Sequence, residues 1–294
     1  MKVKIYILLL CIACTTVTQA QLKTENFAGV DYQNGKIKDG DISGSHKRVD
    51  AFVNFPITVS ANNFVGGRIN YMYNDFKNIN ESFDHSLTGI NTNIFWRKTL
   101  SDKHRLMLSV DIGLYSDFKD IDGDDFRFRL VGIYNIKHSD RLTSGFGVAY
   151  AKQFTAHQIS PFAQIEYKIN DKLLLSGLLP IMPKLTYTIN DRFSWTNELS
   201  GSVESYRLSE KLHNSSVIEI SGWHGMSSLN FTAGKHHRFS LGLGYSIKQR
   251  MRYFENEESN SWKLFTFDLS DKNKPTAEIN VRGVRGMIGY NLIL

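Results

Sequence analysis

From residue 48 onward, apolar and polar side chains alternate with a period of two. Between Arg105 and Phe118, Leu106, Leu108, Val110, Ile112 and Leu114 fall on one face, and Arg105, Ser109, Asp111, Gly113 and Asp117 on the other. Successive side chains of a strand point to opposite sides, so this is the pattern of a strand with one apolar and one polar face. Phe126, Phe128, Leu130, Tyr134 and Ile136 oppose Arg127, Arg129, Asn135 and Lys137 in the same way. So do Phe239, Leu241, Leu243, Tyr245 and Ile247 against Ser240, Gly242, Gly244, Ser246 and Lys248. Val49, Ala51, Val53, Phe55, Ile57 and Val59 line one side of the first clear strand. No stretch has the period of an amphipathic helix.

The connections are of two kinds. Ser101–Lys103, Ser139–Arg141, Asn170–Lys172, Asn190–Arg192 and Lys235–His237 are tight and polar, with Asn and Asp suited to bond the local backbone. Lys77–Asp84, Lys119–Asp125, Ser205–Asn214 and Glu255–Asn273 are longer. Alternating short and long connections, with strands of about 10–15 residues, mark an outer-membrane barrel rather than a soluble sandwich. Strands are predicted at 24–33, 48–60, 63–76, 85–98, 104–118, 126–138, 141–153, 157–169, 172–180, 183–190, 192–207, 214–234, 236–254 and 276–294. The fold class is therefore all-β, a transmembrane antiparallel up-and-down barrel of about fourteen strands. Losing the weak first strand and merging two near Leu179–Pro183 would leave twelve as the alternative. Tyr71, Tyr73, Trp96, Tyr150, Tyr167, Tyr187, Trp195 and Tyr245 lie near strand ends, where aromatic girdles sit. The last strand carries Ile288, Tyr290, Leu292 and Leu294 on one face, with Ile279 and Val281 on the opposite phase; a bulge near Gly286 would reset it.

The chain begins with Lys2 and Lys4, an apolar run Ile5–Ala13, and Thr18-Gln19-Ala20 before Gln21. This reads as a signal peptide over residues 1–20, followed by one barrel domain over 21–294. An uncleaved anchor and lipidation at Cys14 are the rival readings. Cleavage after Ala20 removes Cys11 and Cys14, which leaves no disulfide and no zinc–thiolate site, and takes the net charge from +6 to +4. No Lys/Arg cluster points to nucleic acid. No later segment is apolar for 18 residues, which excludes a helical membrane protein but not a barrel, where only alternate residues face lipid.

Three stretches carry a family likeness: Leu178-Leu179-Pro180 through Pro183-Lys184-Leu185-Thr186-Tyr187; Gly242-Leu243-Gly244-Tyr245 leading to Arg250-Met251-Arg252-Tyr253; and Val281-Arg282-Gly283 through Ile288-Gly289-Tyr290-Asn291-Leu292. Through them the chain resembles an uncharacterised outer-membrane β-barrel family of Bacteroides-type bacteria, a domain of unknown function. The resemblance implies the fold and an outer-membrane location. It implies no substrate, cofactor or catalytic residue. Outer-membrane lipid and the barrel-assembly machinery are the partners expected, with small solutes as what would pass.

The polar faces carry the candidate chemistry. Arg68, Arg105, Asp111, Arg127, Arg129, Glu166, Lys168, Glu198, Glu204, Lys248, Arg250, Glu278 and Arg282 are predicted to point into the lumen, since a charge facing lipid costs about 2–4 kcal/mol at the midplane. Mixed signs favour pairing across a narrow lumen. Asp120, Asp122, Asp124 and Asp125 alternate around Gly123, but lack the spacing of a calcium loop and read as a solvated acidic loop. His157 with Ser160, and His213 with Ser215, are the nearest approach to a hydrolase; the first pair faces opposite sides of one strand. His236 and His237 read as a polar turn. The function expected is a narrow or gated pore for small solutes, with the Glu255–Asn273 loop as its lid. The alternatives are a closed structural barrel and an outer-membrane hydrolase.

Overall fold

The computed structural model describes residues 26–255, 261–270 and 273–294. The expected signal peptide lies outside these residues, as does part of the longest loop. Fourteen long strands form the barrel: β1 (Asn26–Asp39), β2 (Ile42–Val59), β3 (Asn63–Lys77), β4 (Ser86–Thr99), β5 (His104–Ser116), β6 (Phe126–Lys137), β7 (Leu142–Lys152), β8 (Ala156–Lys168), β9 (Leu173–Leu179), β10 (Met182–Thr188), β11 (Phe193–Arg207), β12 (Val217–Ala233), β13 (His237–Phe254) and, after two short strands β14 (Ser261–Leu264) and β15 (Phe267–Asp268), β16 (Ala277–Ile293). Consecutive strands pair antiparallel, β13 pairs with β16, and β1 pairs with β16 from Asn26↔Ile293 to Lys38↔Arg282, which closes the sheet. The count is fourteen and not twelve: β9 and β10 are separate strands joined by Pro180-Ile181.

Closure sorts the side chains. Val30, Ile69, Ile90, Val110, Leu130, Val148, Leu241 and Ile288 are exposed on the outer wall, their cross-strand partners share that face, and the alternate positions along each strand face in. Turns at 60–62, 100–103, 138–141, 169–172, 189–192 and 234–236 gather at one end with both termini; the longer connections gather at the other. The expected loop between residues 33 and 48 is instead a continuation of β1 and β2, paired up to Asp39↔Ile42 across a turn at Gly40, whose φ of +56° suits glycine. Its alternation is hidden because Lys36 and Lys38 occupy the outward phase there, so neither face reads as apolar.

The barrel has a core of its own at the long-loop end. Ile37, Phe76, Phe83, Leu87, Tyr115, Tyr206, Leu208, Val217, Ile218, Met251 and Val281 form one buried cluster. It forms where β11 runs past the end of β10 and crosses to the far side, where Arg207 pairs in parallel with Ser116 of β5, while β12 stays laddered to β13 up to Val217↔Phe254. A closed sheet has no free edge to open, so the protein should keep its fold in detergent until heated. Unboiled protein is expected to run faster than boiled protein on a gel, and equal migration would contradict closure.

Candidate functional site

The β11–β12 tip sits across the lumen because both of its faces find partners. On the inward phase of β11, Glu204 accepts two hydrogen bonds from Arg48 Nη1 at 3.0 and 3.1 Å, while Arg48 Nε is 2.7 Å from Asp50 Oδ2. Tyr206 OH donates to Glu204 at 2.8 Å and accepts from Asn74 Nδ2 at 3.0 Å; Asn74 Oδ1 is 2.9 Å from His46 Nε2. The other face meets the opposite wall. Ser205 Oγ lies 3.1 Å from Arg127 Nη1 and 3.0 Å from Gln153 Oε1, and the Arg127 guanidinium stacks 3.5 Å over Tyr115. Such charge-assisted, multidentate bonds fix position as well as energy.

At the very tip, Arg207 enters the acidic loop. Its Nη1 donates to Asp122 Oδ1 at 2.8 Å and lies 3.5 Å from Asp125 Oδ1, and its Nη2 donates to Ser215 Oγ at 2.9 Å. Asp122 caps a 3₁₀ turn at Gly123–Asp125, and Asp120 accepts from the Lys211 amide in helix α1 (Glu210–His213). The alternating aspartates thus form a socket for a guanidinium, and no cluster of metal-ligating side chains is found among the described residues. His213 packs edge-on against His85 at 4.9 Å. Burial, His213 and Lys119 together push the His85 imidazole below its usual range.

A second cover closes the side. β9 and β10 stop short, which leaves the upper edge of β8 open, and β14 pairs with it in parallel from Ser261↔Ala156 to Leu264↔Ile159. Lys263 Nζ bonds Glu219 of β12 at 2.9 Å and Asp268 of β15 at 2.5 Å, and Arg252 of β13 also binds Asp268. Burial raises the Asp268 carboxyl, but hydrogen bonds from Arg252 and Lys263 outweigh it and hold it well below the carboxylate range. The 255–273 segment, expected as the lid, therefore clasps the wall in its described part, and the β11–β12 tip blocks the lumen.

Of the residues expected in the lumen, Arg68, Arg105, Asp111, Arg127, Arg129, Glu166, Lys168, Glu198 and Glu204 lie on the inward phase. Arg129 pairs with Asp111 at 3.4 Å, Lys184 with Glu198 at 3.8 Å, and Arg68 stacks 3.8 Å over Phe52. Arg105, Glu166 and Lys168 are exposed in the short-turn half, which is open to water. Lys248, Arg250, Glu278 and Arg282 are a correction: all four lie on the outward phase. The bulge falls in β13 between Ser246 and Gln249, so Gln249 and Met251 turn inward and Lys248 and Arg250 outward. β16 carries no bulge at Gly286; Ile279, Val281 and Arg285 share one inward phase, and Glu278 and Arg282 take the other. Arg48, Asp50, Arg207 and Arg285 went unread. Arg48 and Asp50 oppose Val49 and Ala51, so the alternation already put them on the polar face. The hydrolase pairs do not assemble: His157 bonds Tyr150 and stacks on Trp262, away from Ser160, and Ser215 is engaged by Arg207.

A family model described as a domain of unknown function (DUF6268) matches residues 14–281. The chain belongs to that family. Among curated proteins, none matches it. Solved structures are similar in outline. The COG4313 outer membrane channel from Pseudomonas putida F1 has a TM-score of 0.45 at 8% identity, over 95% of this chain and 100% of the other. The Pseudomonas putida toluene transporter TodX has 0.39 at 7%, over 90% and 88%. The outer membrane phospholipase A from Escherichia coli has 0.38 at 8%, over 92% and 94%. At these values the likenesses carry no argument about function, and the barrel of this family member rests on its own strand register.

The socket sets a pH response. Arg207 and the Asp124 amide hold the Asp122 carboxyl below its usual range, while burial pushes Asp125 up. A depressed value contributes stability above the unfolded value of about 3.9 and loses it as pH falls through the folded value; Asp125, being raised, takes up its proton first and leaves the Asp122 bond in place. Protection of amides 208–216 from hydrogen exchange, corrected for intrinsic rate, should hold from pH 7 to about 5 and fall only below about 4. Protection lost by about pH 6 would place the tie elsewhere.

Proposed function

We propose that the protein is an outer-membrane barrel forming a narrow, gated pore for small solutes, with the β11–β12 tip as its gate. The apolar outer band fits lipid, and the short-turn end fits the periplasm. One observation carries the reading: the obstruction is the end of a strand hairpin, laddered to β13 and tied across the lumen chiefly by the side-chain pairs Arg48–Glu204 and Arg207–Asp122, above a lumen half that is exposed and lined by charges of both signs. Fourteen strands enclose more space than side chains alone fill, so the lumen has room for a pore once the hairpin moves. Outer-membrane lipid and the barrel-assembly machinery are the partners in this reading, the Bacteroides-type source goes with it, and no catalysis is assigned.

In a planar bilayer the purified protein should give small, intermittent conductance. Arg207→Ala, which empties the socket, should raise the open fraction severalfold, as loss of one or two charge-assisted bonds predicts. A barrel that is silent both intact and with Arg207→Ala would leave the closed structural reading in its place.

A further inference from the structure

Past the end of β10, β11 bends across the lumen. Below that bend, where β11 and β12 are still laddered to β10 and β13, an open groove of about 640 Å³ lies on the outer surface. It is shallow and open, and its lining is mainly apolar, with Lys184 and Glu198 also reaching it. Leu175 and Leu185 form one flank, and Leu243 and Tyr245, 64% and 46% exposed, form the other. The floor is made of small or polar residues on the outward phase of β11 and β12, Asn197, Gly225 and Ser227. A Cβ added at Gly225 would meet nothing within 4 Å, so the space above it is open.

Two features say what fills it. Trp195 Nε1 donates to Ser227 Oγ at 2.7 Å, but the Asn197 side chain makes no hydrogen bond to any described residue. A carboxamide turned toward hydrocarbon without a partner is costly, and a ligand with a hydrogen-bonding group relieves it. In addition, β9 and β10, at 7 residues each, rise on the order of 18 Å at a tilt of about 40°, less than the apolar band of about 25 Å. On that flank the groove opens onto the outer leaflet.

We propose that this groove binds one single-chain amphiphile of the fatty-acid type, its polar head at Asn197 and its chain over Leu199, Gly225 and Tyr245 toward the open end. The proposal rests on the membrane location given above and not on conduction.

The test uses full-length protein carrying Trp96→Phe and Trp262→Phe, in unbrominated detergent, with dibromostearic acid as the probe of Trp195 and Trp223 fluorescence. Quenching should saturate at one probe per barrel and reverse with excess stearic acid. Gly225→Leu, which fills open space, should abolish the saturable part while leaving heat-modifiable migration intact. Asn197→Leu should weaken binding roughly tenfold, the size of one lost hydrogen bond. Linear quenching, the same in Gly225→Leu, would overturn the site, as would saturation by dibrominated phospholipid alone. A native dimer that Gly225→Leu dissociates would assign the groove to a second copy. Heat-modifiability and membrane partition in the same preparations separate failure of the site from failure of the membrane reading.

Discussion

Backbone hydrogen bonding without an edge is the constraint on which this molecule is organised. Fourteen strands laid flat would leave two rows of unpaired amides and carbonyls; the β1–β16 ladder removes both. The same rule explains the least regular part. With β9 and β10 only 7 residues long, the end of β8 would be bare, and β14 takes up its free backbone in parallel. Phe265 extends the cover, donating its amide to Ile159 at 3.0 Å. The short strands, the inward hairpin and the added β14–β15 clasp are one solution to one problem.

Inside the barrel, opposite charges do what apolar packing does in a soluble core, but with direction. Arg48 alone contacts Asp50 and Glu204, and through Tyr206 and Asn74 the chain of bonds reaches His46, stacked on Phe76 at 4.2 Å. The apolar cluster begins where that network ends. Polar ties therefore place the hairpin, and burial of Tyr206, Leu208 and Ile218 holds it down. Removing one partner of such a tie leaves a charge with no water to replace it, which makes the ties selective points of control.

Fold class and strand count were legible because period-two alternation survives wherever one face meets an apolar medium and the other a polar one. Val110 beside Asp111 is the clearest instance. The alternation fails as a guide where that contrast disappears. On β1 beyond Gln33 and on β2 before Val49 both sides are polar, so paired strand looks like loop. At Ile218 and Ile220 the inward side is itself apolar, so the faces exchange their meaning. On β13 a single bulge reverses the phase, which sent Lys248 and Arg250 to the wrong side; no residue in Ser246–Gln249 announces it. The acidic loop was visible as a cluster, but its partner lies 82 residues away in sequence on the opposite wall, beyond the reach of any local pattern.

The length of β2 has a consequence for the outline of the molecule. Eighteen residues at about 3.3 Å make a strand of order 60 Å, and a tilt of about 40° still leaves a rise near 45 Å. A hydrocarbon band of about 25 Å cannot cover it. The upper part of β1–β2 therefore lies beyond that band, flanked by β16 as far as Lys38↔Arg282 and by β3 as far as Ser45↔Lys77, with a two-residue apex at Gly40-Asp41 on the face opposite both chain ends. Only Asp39–Gly44 lie past those ladders, so a short foreign peptide spliced in at Gly40-Asp41 would be carried outward without disturbing a single ladder bond below.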